Sequence, residues 1–386
     1  MFPPSPSGRG GNRDDMANQH GPGRNSGNAP HGHSGHGFAP AAPTSGPHSG
    51  PHNGPHNGQR FPRRASYAAI DLGTNNCRLL VAKPSGDSFL VVDAFSRIVR
   101  LGEGLASSGR LSDAAMDRAL AALSICSDKL RRRHVTLARS VATEACRQAT
   151  NGADFINRVY RETGIALDII SAKEEARLAV LGCHILLEPG DGPALIFDIG
   201  GGSTELVLVD ASGDAPAILD WQSVPWGVVS LTETERYDMD KEGAHIAAYA
   251  NMRDRVTEAF RPFADRIGRP TSAPRLLGTS GTVTTLASLH LELPSYDRSA
   301  IDGLIVPTQS MRAISQRLAH MPVPERAQLP CIGRERADLV VAGCAILESI
   351  LDIWPAERLG VADRGIREGI LRSLMATELR ARRSRR

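Results

Sequence analysis

The sequence has few of the features that would place a protein in a membrane or outside the cell. It contains no uninterrupted apolar stretch of about 20 residues, which excludes a helix that spans a bilayer. The first residues, MFPPSPSGRGGNRDD, lack both the apolar core and the small-residue cleavage site of a secretory signal. We therefore expect a cytoplasmic protein with no membrane partner.

Cysteine and net charge are also scarce. The six cysteines form no CxxC pair or other metal-ligand spacing, which favours reduced core residues over a redox role. The net charge is only +3; residues 1–64 contribute +4, residues 380–386 contribute +5, and the chain between them carries −6. If this acidic body handles a polyanion, it requires cations and local arginines at its site, because it has no general positive field.

The two ends differ in composition from the rest of the chain. Residues 1–64 hold 13 Gly, 11 Pro and 7 of the 12 His, with the repeat GPHSGPHNGPHNG at 46–58. So few apolar groups cannot offset the entropy of an ordered backbone, which predicts a disordered, solvated tail, with metal or polyanion binding by its histidines as the alternative. The C-terminal RARRSRR is interpreted as a frayed helix end, with a polyanion or nucleic-acid contact as the alternative; no specific nucleic acid is expected.

Between the tails, apolar strand-like runs alternate with helical patterns, which is typical of an α/β fold. The predicted strands are residues 67–70, 89–92, 136–141, 167–170, 195–197 and 275–277. The predicted helices are residues 112–132, 153–162, 171–187, 242–266 and 337–354.

One device occurs twice in the chain. The segment AAIDLGTNNCRLLVA at 68–82 aligns with LIFDIGGGSTELVLV at 195–209, so that Asp71 falls on Asp198 and Gly73 on Gly200. Each copy is a strand that ends in aspartate, a tight glycine-containing turn and a returning strand. Ordinary hairpins are the alternative, but turn formation alone requires neither the aspartates nor their repetition.

The repeated turns have the chemistry of an anion site. Glycine permits positive φ and lets backbone N–H groups approach a ligand closely, so that successive amides form an anion-binding nest. An aspartate at a strand end is placed to hold a divalent cation beside the phosphate. A third glycine loop, RLLGTSGTVTTLASL at 275–289, adds the N-terminus of a helix. Side-chain donors in the two repeated turns are Thr74, Asn75, Asn76, Ser203 and Thr204.

The segment IISAKEEARLAVLGCHILL at 169–187 contains a candidate general base. Ser171 and Glu174 fit a capping box, which gives Glu174 a structural role. Glu175 lies in the first helical turn, where the helix dipole favours its ionised form, on a face that continues through Ala179 and Gly182. We interpret it as a base for a water molecule, with a solvated surface glutamate as the alternative. The predicted core stripe of this helix is Leu178, Leu181 and Ile185.

Two further segments supply charged candidates. VATEACRQATN at 141–151 presents Arg147, which beside phosphates would neutralise charge on the transferred group, although a surface arginine is the equal alternative. VADRGIREGIL at 361–371 places Asp363, Arg364, Arg367 and Glu368 around a strand-to-helix turn.

Taken together, these motifs resemble the Ppx/GppA family of exopolyphosphatases and guanosine pentaphosphate phosphohydrolases, within the actin, Hsp70 and sugar-kinase superfamily. The resemblance covers residues 66–378 in order, through AAIDLGTNN, SVATEACRQATN, IISAKEEARL, IFDIGGGSTELV, LGTSGTV and DRGIREGIL. It implies two ribonuclease-H-like α/β domains, at 65–190 and 191–386, with the active site in the cleft between them. The last helix would pack back on the first domain, and the chain looks like a short family form.

The resemblance also implies roles for individual residues. Glu175 matches the family's catalytic glutamate and Arg147 its active-site arginine. Asp198 and Glu205 match acidic residues associated with Mg²⁺, and Asp71 is a third candidate ligand. The first motif departs from the frequent DLGSNS, because Asn76 replaces a hydroxyl by an amide. The candidate phosphate-binding residues are Thr74, Asn75, Asn76, Gly200, Gly201, Gly202, Ser203, Gly281 and Thr282.

The implied activity is Mg²⁺-dependent release of terminal orthophosphate from polyphosphate, from guanosine pentaphosphate, or from both. An actin-fold ATPase or sugar kinase is one alternative, although it usually has an aspartate base in place of Glu175. A non-catalytic protein that binds polyphosphate or guanosine tetra- or pentaphosphate is the other, and the intact Glu175, Asp198 and Glu205 argue against it. The oligomeric state stays open, with a homodimer among the options.

Overall fold

A computed structural model of the chain describes residues 65–383, apart from 87, 214–215, 238–242 and 269–273. The predicted tail at 1–64 and the last three residues of RARRSRR lie outside the described residues. The strands are β1 Tyr67–Leu72, β2 Asn76–Ser85, β3 Ser88–Ile98, β4 Leu137–Ala142, β5 Leu167–Ile169, β6 Ala194–Ile199, β7 Thr204–Asp210, β8 Ala217–Val224, β9 Arg275–Thr279, β10 Ile305–Pro307 and β11 Arg358–Ala362.

Helices of very different length connect these strands. Each predicted helix is present, although the one expected at 171–187 ends at Cys183 and continues as a short 3-10 turn, His184–Leu186. The helices are α1 Leu105–Ser108, α2 Asp113–Arg132, α3 Glu144–Gln148, α4 Gly152–Thr163, α5 Ala172–Cys183, α6 Val228–Thr234, α7 Ala244–Ile267, α8 Gly281–His290, α9 Arg298–Ile301, α10 Thr308–His320, α11 Val323–Arg326, α12 Val340–Ile353 and α13 Ile366–Arg383.

The strands form two sheets with the same topology. The first sheet has the order β3-β2-β1-β4-β5, in which β1 to β3 are antiparallel and β4 and β5 run parallel to β1. The second sheet repeats this order as β8-β7-β6-β9-β11 and adds β10 at its edge. The α/β class with duplicated ribonuclease-H-like units is therefore confirmed, whereas the domain boundary near residue 190 stays a prediction.

Helices cover both faces of each sheet. Helices α2 and α4 pack on one face of the first sheet, and α7, α8, α10 and α12 pack on one face of the second. Between the sheets, α13 packs on the first sheet and α5 on the second, and these two helices pack on each other. We call each sheet with its outer helices a lobe. None of the helices in the described ranges could cross a membrane, and the cytoplasmic location stays a prediction.

The contact between α5 and α13 depends on glycine. A Cβ added to Gly182 would lie 1.9 Å from the carbonyl oxygen of Gly365, and one added to Gly369 would lie 2.0 Å from that of Leu178. Such distances are far below van der Waals contact, so neither position accepts a larger residue without moving a helix. The two glycines therefore set the distance between α5, which carries Glu175, and the first lobe.

Two predictions about α5 are only partly confirmed. Leu178 of the predicted core stripe is buried, whereas Ile185 is 48% exposed, and the apolar side chains that α5 buries on the second sheet are Ala176, Val180 and Cys183. The helix is covered on two sides, so a single-stripe pattern does not describe it.

The capping box at the start of α5 is half formed, because the hydroxyl of Ser171 accepts from the Glu174 amide at 3.2 Å. The Glu174 carboxylate instead binds two arginines, Arg139 and Arg177.

Replacement of Gly369 by alanine tests the α5–α13 contact. In an open helix, Gly→Ala stabilises by about 0.5–1 kcal/mol. Here we expect the opposite sign, a loss of about 1–3 kcal/mol, because the new Cβ collides with the Leu178 carbonyl. The measurement is the urea unfolding midpoint, with Ala376→Ser on the exposed side of α13 as the control. A stabilised Gly369→Ala variant would contradict the packing described above.

Candidate active site

The two repeated turns meet face to face. The first turn, residues 73–76, and the second turn, residues 200–203, are each closed by the same 2.9 Å hydrogen bond, from the first amide of the turn to the last carbonyl. A Cβ added to Gly201 would lie 2.9 Å from the Thr74 Cβ, and one added to Gly202 would lie 2.7 Å from the Thr74 Oγ1. The glycines of the second turn therefore let one turn approach the other.

The sequence predicts two uses for these glycines, a positive φ and a close approach of backbone N–H groups to a ligand. Gly200, Gly201 and Gly202 all have φ outside the positive range. What Gly201 and Gly202 require is a close approach, here to Thr74. Thr204 is also not the donor expected, because its hydroxyl donates to the carbonyl of Trp226 at 2.7 Å. Ser203 donates its hydroxyl to Glu205 at 2.8 Å.

A cleft with a cavity volume of about 130 Å³ opens where the turns meet. It is lined by both turns, by the start of α8 and by residues from the start of α3 and α5. The structure thus brings together residues that are more than 200 positions apart in the chain, and the alternative of two unrelated hairpins does not hold. The predicted site residues that line the cleft are Asp71, Thr74, Asn75, Asn76, Glu175, Asp198, Gly200, Gly201, Gly202, Ser203, Glu205, Gly281 and Thr282.

Five carboxyl groups line this cleft, those of Asp71, Glu144, Glu175, Asp198 and Glu205. Burial, with repulsion from Glu205, raises the pKa of Asp198 to about 8. Burial raises the pKa of Glu205 to about 7, although the hydroxyls of Ser203 and Ser223 oppose the rise. Burial also raises the pKa of Asp71, and one of its oxygens, Oδ1, is buried without a hydrogen-bond partner in the described part of the chain. A cation in this position would relieve the repulsion.

Glu175 lies in the cleft wall and is only 6% exposed, which rules out a solvated surface glutamate. Burial, followed by repulsion from Glu205, raises its pKa well above the usual range, and Arg147 opposes this rise. Loss of hydration is the largest influence on this pKa, and it acts against the helix dipole, which favours the ionised form. A carboxylate with a raised pKa accepts a proton more readily.

Arg147 lies behind Glu175 instead of in the cleft lining. Its Nη1 donates to Glu175 Oε2 at 3.1 Å and to the Ile170 carbonyl at 2.7 Å, and its Nη2 binds Glu144. The guanidinium thus holds two acidic side chains that line the cleft, Glu144 and Glu175. A direct contact between Arg147 and phosphate stays a prediction.

The two hairpins carry opposite charges at one equivalent position. In the strand register, Asp71 pairs with Arg78 in the first lobe and Asp198 pairs with Glu205 in the second. The guanidinium of Arg78 reaches the start of α8, where a Cβ added to Gly281 would lie 4.0 Å from its Nη2. One hairpin therefore brings a cation to the cleft and the other an anion, which suits a phosphate chain accompanied by a metal ion.

Sequence reasoning missed three charged residues that line the cleft: Arg78, Glu144 and Arg336. Arg78 had a signal, because it is the one charge in the apolar run that follows the first turn. Glu144 lies in the same segment as Arg147, where no pattern distinguishes it. Arg336 had no local signal, since it precedes α12 in an ordinary charged loop; burial and Arg78 lower its pKa.

The third loop and the last motif also have defined places. The Ser280 hydroxyl caps α8 by accepting from the Val283 amide at 3.0 Å, which leaves the N-terminal end of this helix at the cleft. A helix N-terminus carries a partial positive charge.

In the last motif, residues 361–371, Asp363 and Glu368 bind Arg298, and Arg364 binds Asp302. The remaining charged residue, Arg367, lines a smaller cavity beside Asp71 and Asp198.

The residues at the turns are chemically suited to Mg²⁺. The candidate ligands Asp71, Asp198 and Glu205 offer only oxygen, and Asp71 has an unpartnered buried oxygen. In the described ranges, no group of three or more His, Cys, Asp or Glu side chains is arranged to hold a metal by itself. Mg²⁺ usually keeps several waters and binds through one or two carboxylates and the substrate phosphates.

The chain is similar to known proteins in both sequence and structure. It is 31% identical over 321 residues to exopolyphosphatase 2 of Mycobacterium tuberculosis, covering 80% of this chain and 98% of that protein. A Ppx/GppA family member from Aquifex aeolicus has a TM-score of 0.65 at 27% identity, covering 81% of this chain and 98% of that one. An exopolyphosphatase from Cytophaga hutchinsonii has a TM-score of 0.70 at 25% identity, with coverages of 81% and 98%.

The match extends to a whole family. The model of the Ppx/GppA phosphatase family matches residues 80–378, which include α3, α5, the second turn and the start of α8. This range covers most of the chain, with all of the second sheet and β3, β4 and β5 of the first. The chain therefore belongs to the Ppx/GppA phosphatase family.

Proposed function

We propose that the protein hydrolyses phosphoanhydride bonds and releases terminal orthophosphate from inorganic polyphosphate. The observation that carries the proposal is the position of Glu175, buried in the wall of a cleft formed by two duplicated turns. The similarity to an exopolyphosphatase over 80% of the chain supports the choice of substrate. Guanosine pentaphosphate presents the same terminal phosphoanhydride, and we propose it as a second substrate.

In the proposed mechanism the two turns grip the phosphate chain from opposite sides. Backbone N–H groups of the second turn, the Thr74 hydroxyl and the N-terminus of α8 donate to phosphate oxygens. Arg78 neutralises part of the charge on the chain. Because the donors are fixed before the substrate arrives, they stabilise developing charge without reorganisation.

Glu175 acts as the general base. It takes a proton from a water molecule as the water oxygen attacks the terminal phosphorus in line, and the bond to the bridging oxygen breaks. The products are orthophosphate and a chain that is one phosphate shorter. Arg147 positions the Glu175 carboxylate and favours its ionised form. When bound, Mg²⁺ would be held by carboxylate oxygens from the candidates Asp71, Asp198 and Glu205 together with waters and phosphate oxygens, and it would neutralise phosphate charge.

The activity itself is tested by orthophosphate release from long-chain polyphosphate and from guanosine pentaphosphate, each with Mg²⁺ or with EDTA. We expect release from polyphosphate with Mg²⁺ and at least about a hundredfold less with EDTA, because the crowded carboxylates repel phosphate without the cation. Tight binding without release would favour a binding protein. ATP-dependent phosphorylation without release from polyphosphate would favour a kinase.

The role of Glu175 is tested by Glu175→Gln. The amide keeps the size of the side chain but accepts no proton, so we expect kcat to fall about 10²–10⁴-fold while polyphosphate binding changes less than about threefold. Glu174→Gln is a matched control, because Glu174 is the preceding residue on the same helix but binds Arg139 and Arg177 away from the cleft. Near-normal turnover in Glu175→Gln would remove the assigned base.

The carboxylate cluster predicts an unusual dependence of stability on pH. Without metal, folded Asp198 keeps its proton up to a pKa of about 8, against the ordinary 3.8 of the unfolded chain. The folded state then binds more protons than the unfolded chain does. Its free energy of unfolding therefore falls as the pH rises between these two pKa values. In EDTA, Asp198→Asn should therefore melt at least about 4 °C above the unsubstituted protein at pH 8.5 and differ much less at pH 5. Excess Mg²⁺ should reduce this difference in melting temperature. A difference that does not depend on pH would contradict the burial of this carboxyl group.

A further inference from the structure

A short segment between β3 and α1 is hydrogen-bonded to the first turn. We call residues 99–104, with the sequence VRLGEG, the strap. The amides of Val99 and Arg100 donate to the Asn75 carbonyl at 2.9 and 3.1 Å, and the amide of Gly102 donates to the Thr74 carbonyl at 2.9 Å. The strap therefore holds the backbone of two residues that line the cleft.

The same strap is bound to the second lobe. Both terminal nitrogens of Arg100 donate to the Asp338 carboxylate, at 3.0 and 3.2 Å, and Nη2 also donates to the Glu335 carbonyl at 3.0 Å. The amide of Gly104 donates to the Glu233 carboxylate at 2.7 Å. These contacts join segments that are more than 120 positions apart in sequence. Asp338 adjoins Leu339, which lines the cleft.

Glu233 leads directly to the second turn. It lies on α6, whose first amides, those of Val228 and Val229, donate to the carbonyls of Gly200 and Gly201 at 3.0 and 2.8 Å. The path of hydrogen bonds thus runs from the first turn through the strap and α6 to the second turn. Each phosphate-binding turn is connected to the other by this route, in addition to their direct contact.

The strap is held in a conformation that ordinary residues avoid. Arg100 has φ of 45°, in the left-handed region that costs energy for a residue with a Cβ. Neighbouring groups impose this conformation, since Arg118 donates to the carbonyls of Val99 and Arg100 at 2.8 and 3.1 Å. Gly102 adds a tight contact, because a Cβ there would lie 2.3 Å from the Thr74 Cγ2. A strained residue that is retained by its surroundings marks a functional position.

We propose that Arg100 is a positioning residue: it anchors the strap to the second lobe through Asp338 and Glu335 and thereby helps to set the spacing of the two phosphate-binding turns. The inference rests on the proposed function. A phosphate chain gripped from two sides binds well only if the turns are already at the right distance. The strap contacts neither Glu175 nor its helix in the hydrogen bonds described above, so loss of Arg100 weakens binding and leaves the proton transfer nearly unchanged. A side-chain pair that is about a third exposed adds little to overall stability.

Steady-state orthophosphate release from polyphosphate with Mg²⁺ tests this role. In the full chain, Arg100→Ala should raise KM about threefold to tenfold with kcat within about twofold, which is the pattern of lost binding energy. Asp338→Ala should give the same pattern. Arg161→Ala, an exposed arginine on α4 of the same lobe, is the control and should leave both constants unchanged. An unchanged KM in Arg100→Ala would overturn the proposal.

Exchange of the two charges separates positioning from general damage. Arg100→Asp alone places two acidic groups together, and aspartate tolerates the left-handed conformation, so the local backbone is retained. Combined with Asp338→Arg, the pair is restored in reverse, and KM should fall at least about threefold from the value of Arg100→Asp alone. A double variant with KM as high as that of Arg100→Asp would also overturn the proposal.

Amide hydrogen exchange tests the strap independently of any activity. Without substrate, Arg100→Ala should exchange faster in peptides that cover 99–109 and 228–236, while β9 in the core of the second sheet exchanges as before. Unchanged exchange in both peptides would overturn the strap. If the unsubstituted protein releases no orthophosphate, the proposed function fails, but the exchange result still decides whether the strap joins the lobes.

Discussion

The close approach of two backbone turns is the constraint on which the rest of the structure depends. Thr74 of the first turn lies where a side chain on Gly201 or Gly202 would have to be, so the second turn is limited to glycine by its partner instead of by its own φ angles. Because the turns touch, the aspartates that precede them open into one cleft. Gly182 and Gly369 act in the same way between the two sheets, where they set the distance between α5 and α13.

Electrostatics accounts for the arrangement of the cleft. Burial raises the pKa values of Asp71, Asp198, Glu205 and Glu175, and repulsion between carboxylates adds to the rise, an arrangement that is unfavourable for the protein alone. Such strain is typical of a site that receives a counter-charge with its ligand. Arg78, Arg336 and the N-terminus of α8 line the same cleft. A phosphate chain with its cation carries both signs of charge and so complements both sets of groups.

Arginine has three separate uses around this site. Arg78 and Arg336 line the cleft itself. Arg147 lies behind it and orients two acidic side chains, Glu144 and Glu175. Arg100 lies at the edge of the lobes and bridges them. Because the chain between its tails is acidic, these arginines supply locally the positive charge that this part of the chain lacks overall.

The sequence by itself determined the α/β class, the duplication and most of the cleft lining, because these depend on local patterns: apolar runs, an Asp-x-Gly repeat and a capped helix. It failed for β8 and β10, edge strands with weak apolar patterns, and for the buried face of α5, which two neighbours cover. Only the tertiary structure decided that Arg147 lies behind Glu175, that Arg78 and Arg336 enter the cleft, and that Glu175 is desolvated. These facts arise from contacts between distant segments, and hydration and Coulomb energies depend on distance in space, which no local pattern records.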